Sequence, residues 1–490
     1  MKRIGLVFGL VVSSLWGVVF SAHGFNVMDD KLFITGYVQN QSSYRMADGA
    51  DELVSSENRL QVEMDANLHS QVKVHGVFRG IYDAIYDLRH ESDRWGTNYA
   101  GSRDKLSTEY KIRELYMDAT LGRCDFRVGK QQVVWGETDG LRLMDLINPL
   151  DMRRQFITRD WEDIRIPQLI AKAIYGIDPM RNAFFELLWN PGDLERDEVY
   201  FDTTMSDDYK SPWTIANSQS LEAIKPLRQA GLVRMKEKDT SELNADESEF
   251  GARFGMELGG WFFTLNYWQG FSKSPVLDGD LTVLEPMFLG SGPPPSLPVN
   301  LEYKYPREKV SGFTFNKATG LWVWRGEFAT YWNKHYNTID TSPVLGLPNI
   351  SMVDETLQSS MLGFDYKRFI KWLNPEKMFF ISGQAFHNHI FNYDDKLRSG
   401  PYSQKPREDS VALTFLANTG YHMDRICPEV LVVYDIGTTG WYIKPRVEFK
   451  YGEHWRPEIG GLVFTGDEYE LPFGAYDHND EIYFRLRYQF

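Results

Sequence analysis

The sequence predicts an all-β fold, a closed transmembrane antiparallel barrel of about 18 strands, with a loop and short helix inserted into its lumen. Three observations lead there. Alternating apolar and polar stretches of membrane-spanning strand length recur along the chain. The links between them are short and long by turns, as the two rims of such a barrel require. The chain opens on a leader-like segment and ends on an aromatic alternating strand, EIYFRLRYQF. Mean hydropathy is only −0.40. A barrel tolerates this, because only every second strand residue faces lipid.

In chain order, residues 1–24 read as a cleaved signal peptide. Lys2 and Arg3 precede the apolar run Ile4 to Phe20, and Ala22-His23-Gly24 supplies a small-x-small cleavage site. Residues 25–490 then form one barrel. Strands are expected to begin near 32, 57, 71, 110, 125, 166, 182, 248, 261, 308, 320, 358, 377, 409, 428, 440, 455 and 480. Leu60, Val62, Met64, Ala66 and Leu68 alternate with Arg59, Gln61, Glu63, Asp65 and Asn67. Phe250 to Leu258 and Trp441 to Tyr451 alternate in the same way. Counts of 16 or 20 strands also keep both chain ends on one rim, so the parity is firmer than the number.

Links at 69–70, 122–124, 259–260 and 316–319 are short, and those at 83–109, 137–165, 191–247, 271–307, 333–357 and 389–408 are long. Short links belong to the periplasmic rim and long ones to the extracellular rim. Link 368–376 is long for a periplasmic turn and is expected to be a short amphipathic helix. Link 436–440 is short for an extracellular loop. Cys124 and Cys427 fall on nearly opposite walls, too far apart to pair within one chain.

The block GKQQVVWGETDGLRLMDLINPLDMRRQF, residues 129–156, leaves a strand for a loop. Asn148-Pro149-Leu150-Asp151 reads as a capped helix start. Two readings stay open: an ordinary capped helix on an extracellular loop, or a loop folded into the lumen as a constriction lined by Asp145, Asn148, Asp151, Arg153 and Arg154. Gly129, Lys130, Gln131, Trp135, Gly136, Asn148, Pro149 and Asp151 carry a resemblance to a large proteobacterial outer-membrane family known as a domain of unknown function, itself distantly similar to alginate-export-type porins. The resemblance covers about 40 residues specifically. It implies an outer-membrane channel, often linked to an inner-membrane exporter of lipid-like compounds, and a definite task for the loop in the lumen. It supplies no substrate.

With the apolar faces toward lipid, the lumen receives Lys444, Arg446, Glu448 and Lys450, then Arg456 and Glu458, then Arg485 and Arg487. Such residues set ion selectivity in pores, or form mixed ladders that merely stabilise the wall. Tyr488 and Phe490 are the expected signal to the barrel-assembly machinery. Net charge is −15, which argues against nucleic acid as a partner. The acidity collects at 193–209 and 236–249, where it reads as a solvated surface or a divalent-cation bridge to lipopolysaccharide. His387 and His389 sit two apart on a strand, and a lone pair of that kind does not define a metal site. No nucleophile, zinc, haem or phosphate-loop motif occurs. The expected function is therefore non-enzymatic and cofactor-free: passive or partner-driven passage of an anionic, amphipathic or polysaccharide-like solute, with outer-membrane lipid and lipopolysaccharide as surroundings. The rival readings are a barrel enzyme acting on lipid, and a closed barrel serving as receptor or scaffold.

Overall fold

The computed structural model describes residues 25–27, 31–46, 52–88, 103, 106–154, 157–198, 224–237, 244–293, 295–400, 404–467 and 472–490. The expected signal peptide, residues 1–24, lies outside them, as does most of the acidic stretch 193–209 and part of 236–249.

Eighteen antiparallel strands close into a barrel. They are β1 (Leu32–Arg45), β2 (Glu52–His69), β3 (Val72–Asp83), β4 (Thr108–Leu121), β5 (Cys124–Gln131), β6 (Gln168–Asp178), β7 (Ala183–Asn190), β8 (Glu249–Leu258), β9 (Trp261–Phe271), β10 (Arg307–Thr319), β11 (Trp322–Thr341), β12 (Pro348–Arg368), β13 (Phe379–Ile390), β14 (Asp409–Asn418), β15 (Ile426–Asp435), β16 (Trp441–Phe449), β17 (Trp455–Thr465) and β18 (Glu481–Gln489). Each pairs with its neighbour in sequence. Closure is made by β18 on β1, from Tyr37 opposite Gln489 to Arg45 opposite Glu481. The ladder continues to the last residue: Phe490 N donates to Gly36 O at 2.9 Å, and Gly36 N donates to Phe490 O at 3.0 Å. No open edge remains along this seam, as a strand in hydrocarbon requires.

The pleat sorts the side chains as alternation demands. Leu60, Met64, Leu68, Leu115, Leu187, Phe250, Leu265, Trp324, Leu362, Phe415, Ile459 and Ile482 are exposed on the outside. On β18 the ambiguous Tyr483 faces inward, fully buried, and donates to Glu458 Oε1 at 2.9 Å. Near the short-turn rim, Trp322 stacks on Trp324 and on Tyr366, with ring centroids 5.6 and 4.1 Å apart. Indole and phenol rings favour the lipid–water interface. A closed barrel with an apolar outer belt and interfacial aromatics is the form in which β-structure crosses a bilayer, and this chain resides in the outer membrane.

Three local expectations are corrected. The link at 333–357 is mostly strand: β11 and β12 run on as a hairpin, paired from Lys334–Glu355 to Thr341–Pro348 past an irregularity after Tyr331, leaving only 342–347 as the turn. Polar residues such as His335, Asn337 and Asp354 hid it, because a hairpin standing above the bilayer needs no apolar outer face. The link after β12 is not a helix. Its centre is Asn374, fully buried, which donates to Thr419 Oγ1 and Gly420 O and accepts from Glu376 N and Lys377 N. One asparagine thus holds two periplasmic turns together, while Trp372 stays exposed. Lys450 lies beyond the end of β16, in the periplasmic turn, 3.8 Å from Glu448. Cys124 and Cys427 are both free.

Above the extracellular rim the long links build a cap. Val233–Glu237 pairs in parallel with Val299–Lys304, which pairs antiparallel with Val276–Asp280, which reaches the β12 extension through Gly279 and Ile350. Beneath it lies an apolar cluster that includes Leu277, Leu281, Leu301, Val433, Tyr442, Leu462 and Phe464. Val433, Tyr442 and Leu462 face inward, so this part of the barrel interior is packed with apolar side chains.

Candidate functional site: a two-lobed loop across the lumen

The link between β5 and β6, residues 132–167, crosses the barrel and touches opposite walls. Its departure is fixed by backbone geometry. Gly129 has φ 137°, and a Cβ there would fall 2.2 Å from Leu115 O. Only glycine meets both conditions. Gln131, fully buried, donates to Ile170 O at 2.8 Å, and Lys130 pairs with Glu195 at 2.9 Å.

The first lobe, 132–147, packs on the wall formed by β6 to β15. Trp135 is buried edge-on against Trp268, centroids 6.2 Å apart, and its Nε1 donates to Glu186 at 2.8 Å. Val133, Leu143, Met144 and Ile147 join Ile170, Leu188, Val310, Ala329, Met361 and Phe386 in one apolar cluster. Glu327 of β11 holds the tip: its carboxylate accepts from Glu137 N, and from Met144 N at 3.0 Å. Asp139 pairs with Arg325 at 3.0 Å and takes Gln384 as an acceptor for its amide. A Cβ on Gly136 would lie 2.8 Å from Asp145 N, so the two legs of the lobe touch there.

The second lobe, 148–167, packs on β1 to β4 and β16 to β18, a wall rich in arginine. The helix expected at Asn148 is absent. Asn148 is fully buried between the two legs, accepts from Val133 N at 2.8 Å and donates to Ile166 O at 2.9 Å. Its amide stands in for a missing ladder, satisfying two backbone groups that burial would otherwise orphan. Pro149 O accepts from Ile166 N at 2.8 Å. The helix of this lobe is a single turn, Trp161–Ile164.

Arg153 and Arg154 are tied to the near wall. Arg153 pairs with Asp151 (2.7 Å), Glu109 of β4 (2.6 Å) and Glu198 (2.5 Å). Arg154 pairs with Glu109 at 3.2 Å and donates to Leu106 O at 2.9 Å. Burial pushes the Asp151 carboxyl up, but Arg153 outweighs it and holds it well below the ordinary range. Asp145 pairs with Arg165 at 2.7 Å and Arg142 at 3.1 Å, which closes the junction of the lobes.

The pivotal residue is one that sequence alone did not single out. Asp163 meets Arg59 of β2 at 2.7 Å and Arg79 of β3. Arg113 of β4 donates to the carbonyls of Asp163 (3.0 Å), Glu162 (2.8 Å) and Arg165 (2.9 Å). Burial works against the Asp163 charge, yet Arg59, Arg79 and Arg113 hold its carboxyl well below the usual range. Arg159 pairs with Glu57. The lobe also reaches the far side of the same wall: Lys444 Nζ donates to Ile157 O at 2.7 Å, and Arg485 donates to Thr158 O at 2.7 Å and pairs with Glu458 at 3.2 Å. Arg446 pairs with Glu429 at 2.8 Å and Glu458 at 3.4 Å. Arg487 donates to Gln39 at 2.8 Å with its guanidinium 4.4 Å over the Tyr37 ring. Among the described residues, Arg113, Lys444 and Arg487 have no carboxylate at ion-pair distance. Glu448 meets Lys450 at the periplasmic end. Tyr488 lies outside the lumen wall, packed between His454 and Trp455 at 5.2 and 5.0 Å, and the Phe490 ring lies over Gly36.

The pattern of a family described as a protein of unknown function, DUF1302, matches residues 35–490. No curated protein matches the chain. Solved structures with which it shares a general likeness include Pseudomonas aeruginosa OccK2 (OpdF) in complex with glucuronate, at 8% identity and TM-score 0.48 over 96% of this chain and 99% of that one. Pseudomonas aeruginosa OccK8 (OprE) is 7% identical, TM-score 0.48, over 96% and 99%. Acinetobacter baumannii OccAB3 is 9% identical, TM-score 0.47, over 94% and 98%. Similarity at this level carries nothing about solutes.

Proposed function

We propose that this chain, which belongs to the DUF1302 family of proteins of unknown function, is an outer-membrane channel gated by its lumen loop, and that its solute is an amphipathic anion delivered by a partner such as an inner-membrane exporter. The observation that carries the reading is the division of the lumen. The first lobe sits on an apolar wall and the second on a basic one. Along the basic wall Arg113, Lys444 and Arg487 are held by carbonyl and amide oxygens, and among the described residues none of them meets a carboxylate at ion-pair distance. A solute with an acidic head and an apolar body matches both surfaces. Selection would be by charge and loop position, with no covalent step. Assembly would proceed through β18, with Tyr488 and Phe490 presented to the barrel-assembly machinery, and the outer belt would rest in lipid and lipopolysaccharide.

Single-channel recording in a planar bilayer tests this. The mature protein is expected to conduct intermittently and to favour anions in a salt gradient. Lys444→Gln with Arg487→Gln should shift the reversal potential toward cations. Correctly folded protein that never conducts, alone or with Asp163→Asn, would overturn the channel. The apolar clusters inside the lumen favour a second reading, a closed barrel acting as receptor or scaffold, and that null result would select it.

A further inference from the structure

Outside the lumen, three metal-ligating side chains, His389, Glu408 and Asp409, meet at the extracellular ends of β13 and β14, and a fourth, His387, touches Asp409. His387 and His389 point outward from β13, and Asp409 opens β14 directly opposite His389. Asp409 Oδ1 lies 2.9 Å from His387 Nε2 and 2.9 Å from His389 Nδ1. Glu408 brings a second carboxylate: one donor atom from each of His389, Glu408 and Asp409 falls within 4.8 Å of the others. The sequence offered only the histidine pair; strand register supplies the acids.

We propose that this cluster binds one divalent transition-metal ion, with zinc the expected occupant. Imidazole with carboxylate suits zinc, copper or nickel, whereas calcium and magnesium prefer oxygen alone. Around a tetrahedral ion with bonds of about 2.0–2.1 Å, neighbouring donors stand roughly 3.3 Å apart. The 2.9 Å spacings from Asp409 to the two histidines need to open by a few tenths of an ångström, and the wider ones, which reach up to 4.8 Å among His389, Glu408 and Asp409, to close through side-chain rotation at the exposed His387 and Glu408. Two adjacent strands of a closed sheet hold the Cα positions, so little ordering is lost on binding. Solvent reaches the site, with His387 exposed and His389 half-buried, so an ion has a path in. Hydrogen bonding alone explains the cluster less well. It places two imidazoles on one solvent-exposed carboxylate oxygen, an arrangement that water screens, and gives the Glu408 side chain no part. A bound ion would staple β13 to β14 just below the rim.

Tag-free protein, refolded and stripped with chelator, is titrated with zinc sulfate by calorimetry. Binding of one ion per chain is expected. His387→Asn with His389→Asn, and separately Asp409→Asn, should each weaken it by more than about tenfold. Calcium chloride should not compete. Cobalt in place of zinc should give a visible absorption band that the double variant lacks. Heat-modifiable migration confirms that each variant is folded. No binding by the parent protein, or binding by the double variant equal to it, would overturn the site and leave a hydrogen-bonded surface cluster.

Discussion

Replacing Asp163 with asparagine isolates the contact on which the second lobe turns. The side chain keeps its shape and loses its charge. Arg59, with a side chain 1% exposed, and Arg79, 3% exposed, then face a neutral amide. Removing one partner from a buried ion pair typically costs about 3–5 kcal/mol, because the surviving charge stays desolvated. Arg59 keeps Glu57 at 2.8 Å, and Arg79 keeps Gln61, so the lower end applies. At 1.4 kcal/mol per factor of ten, about 3 kcal/mol raises the undocked fraction of the lobe by roughly two orders of magnitude. Arg113 still binds backbone carbonyls, so the loop should loosen rather than leave. Hydrogen exchange should quicken at residues 157–166 and hardly change in β10 to β14, and conductance in a planar bilayer should rise. Exchange and conductance both equal to the parent's, in correctly folded protein, would refute the assignment of Asp163 as the anchor.

Other outcomes follow from the same contacts. Trp135→Phe removes the donor to Glu186 and should lower stability by about 1–3 kcal/mol, read as an earlier midpoint of heat modification. Asn148→Leu orphans Val133 N and Ile166 O; it should cost about 1–3 kcal/mol for each and expose the 132–167 loop to protease while the barrel stays intact. Burial, with Asp151 beside it, raises Glu198 to about 7 against the pull of Arg153. A carboxyl raised in the folded state contributes fully below its ordinary value of 4.5, and the contribution is lost as pH rises through about 7. Glu198 N donates to Leu150 O and Met152 N donates to Glu198 O. Exchange at Met152, corrected for base catalysis, should therefore quicken between about pH 4.5 and 7 and level off above that, and Glu198→Gln should remove that dependence.

The sequence by itself determined the barrel, its even strand number, its two unlike rims and which faces meet lipid. These follow from a period of two and from link length, both local quantities along the chain. Where the outer face leaves the bilayer the local signal fades, and the β11–β12 hairpin was read as a loop. The sequence also marked the 129–156 block as unusual, and the structure places 132–154 of it on the lumen loop. What each residue does there was decided only by tertiary structure. Asn148 carries the signature of a helix cap, but burial between two legs makes it a bridge for backbone groups. Arg153 and Arg154 read as residues lining a constriction, and Glu109, a strand away, engages both. Asp163, Glu327 and Arg113 gave no signal, since their partners lie 49 or more residues distant. Pairings across a closed ring depend on register and curvature summed over many strands, and a one-residue shift in any of them turns a side chain to the opposite face.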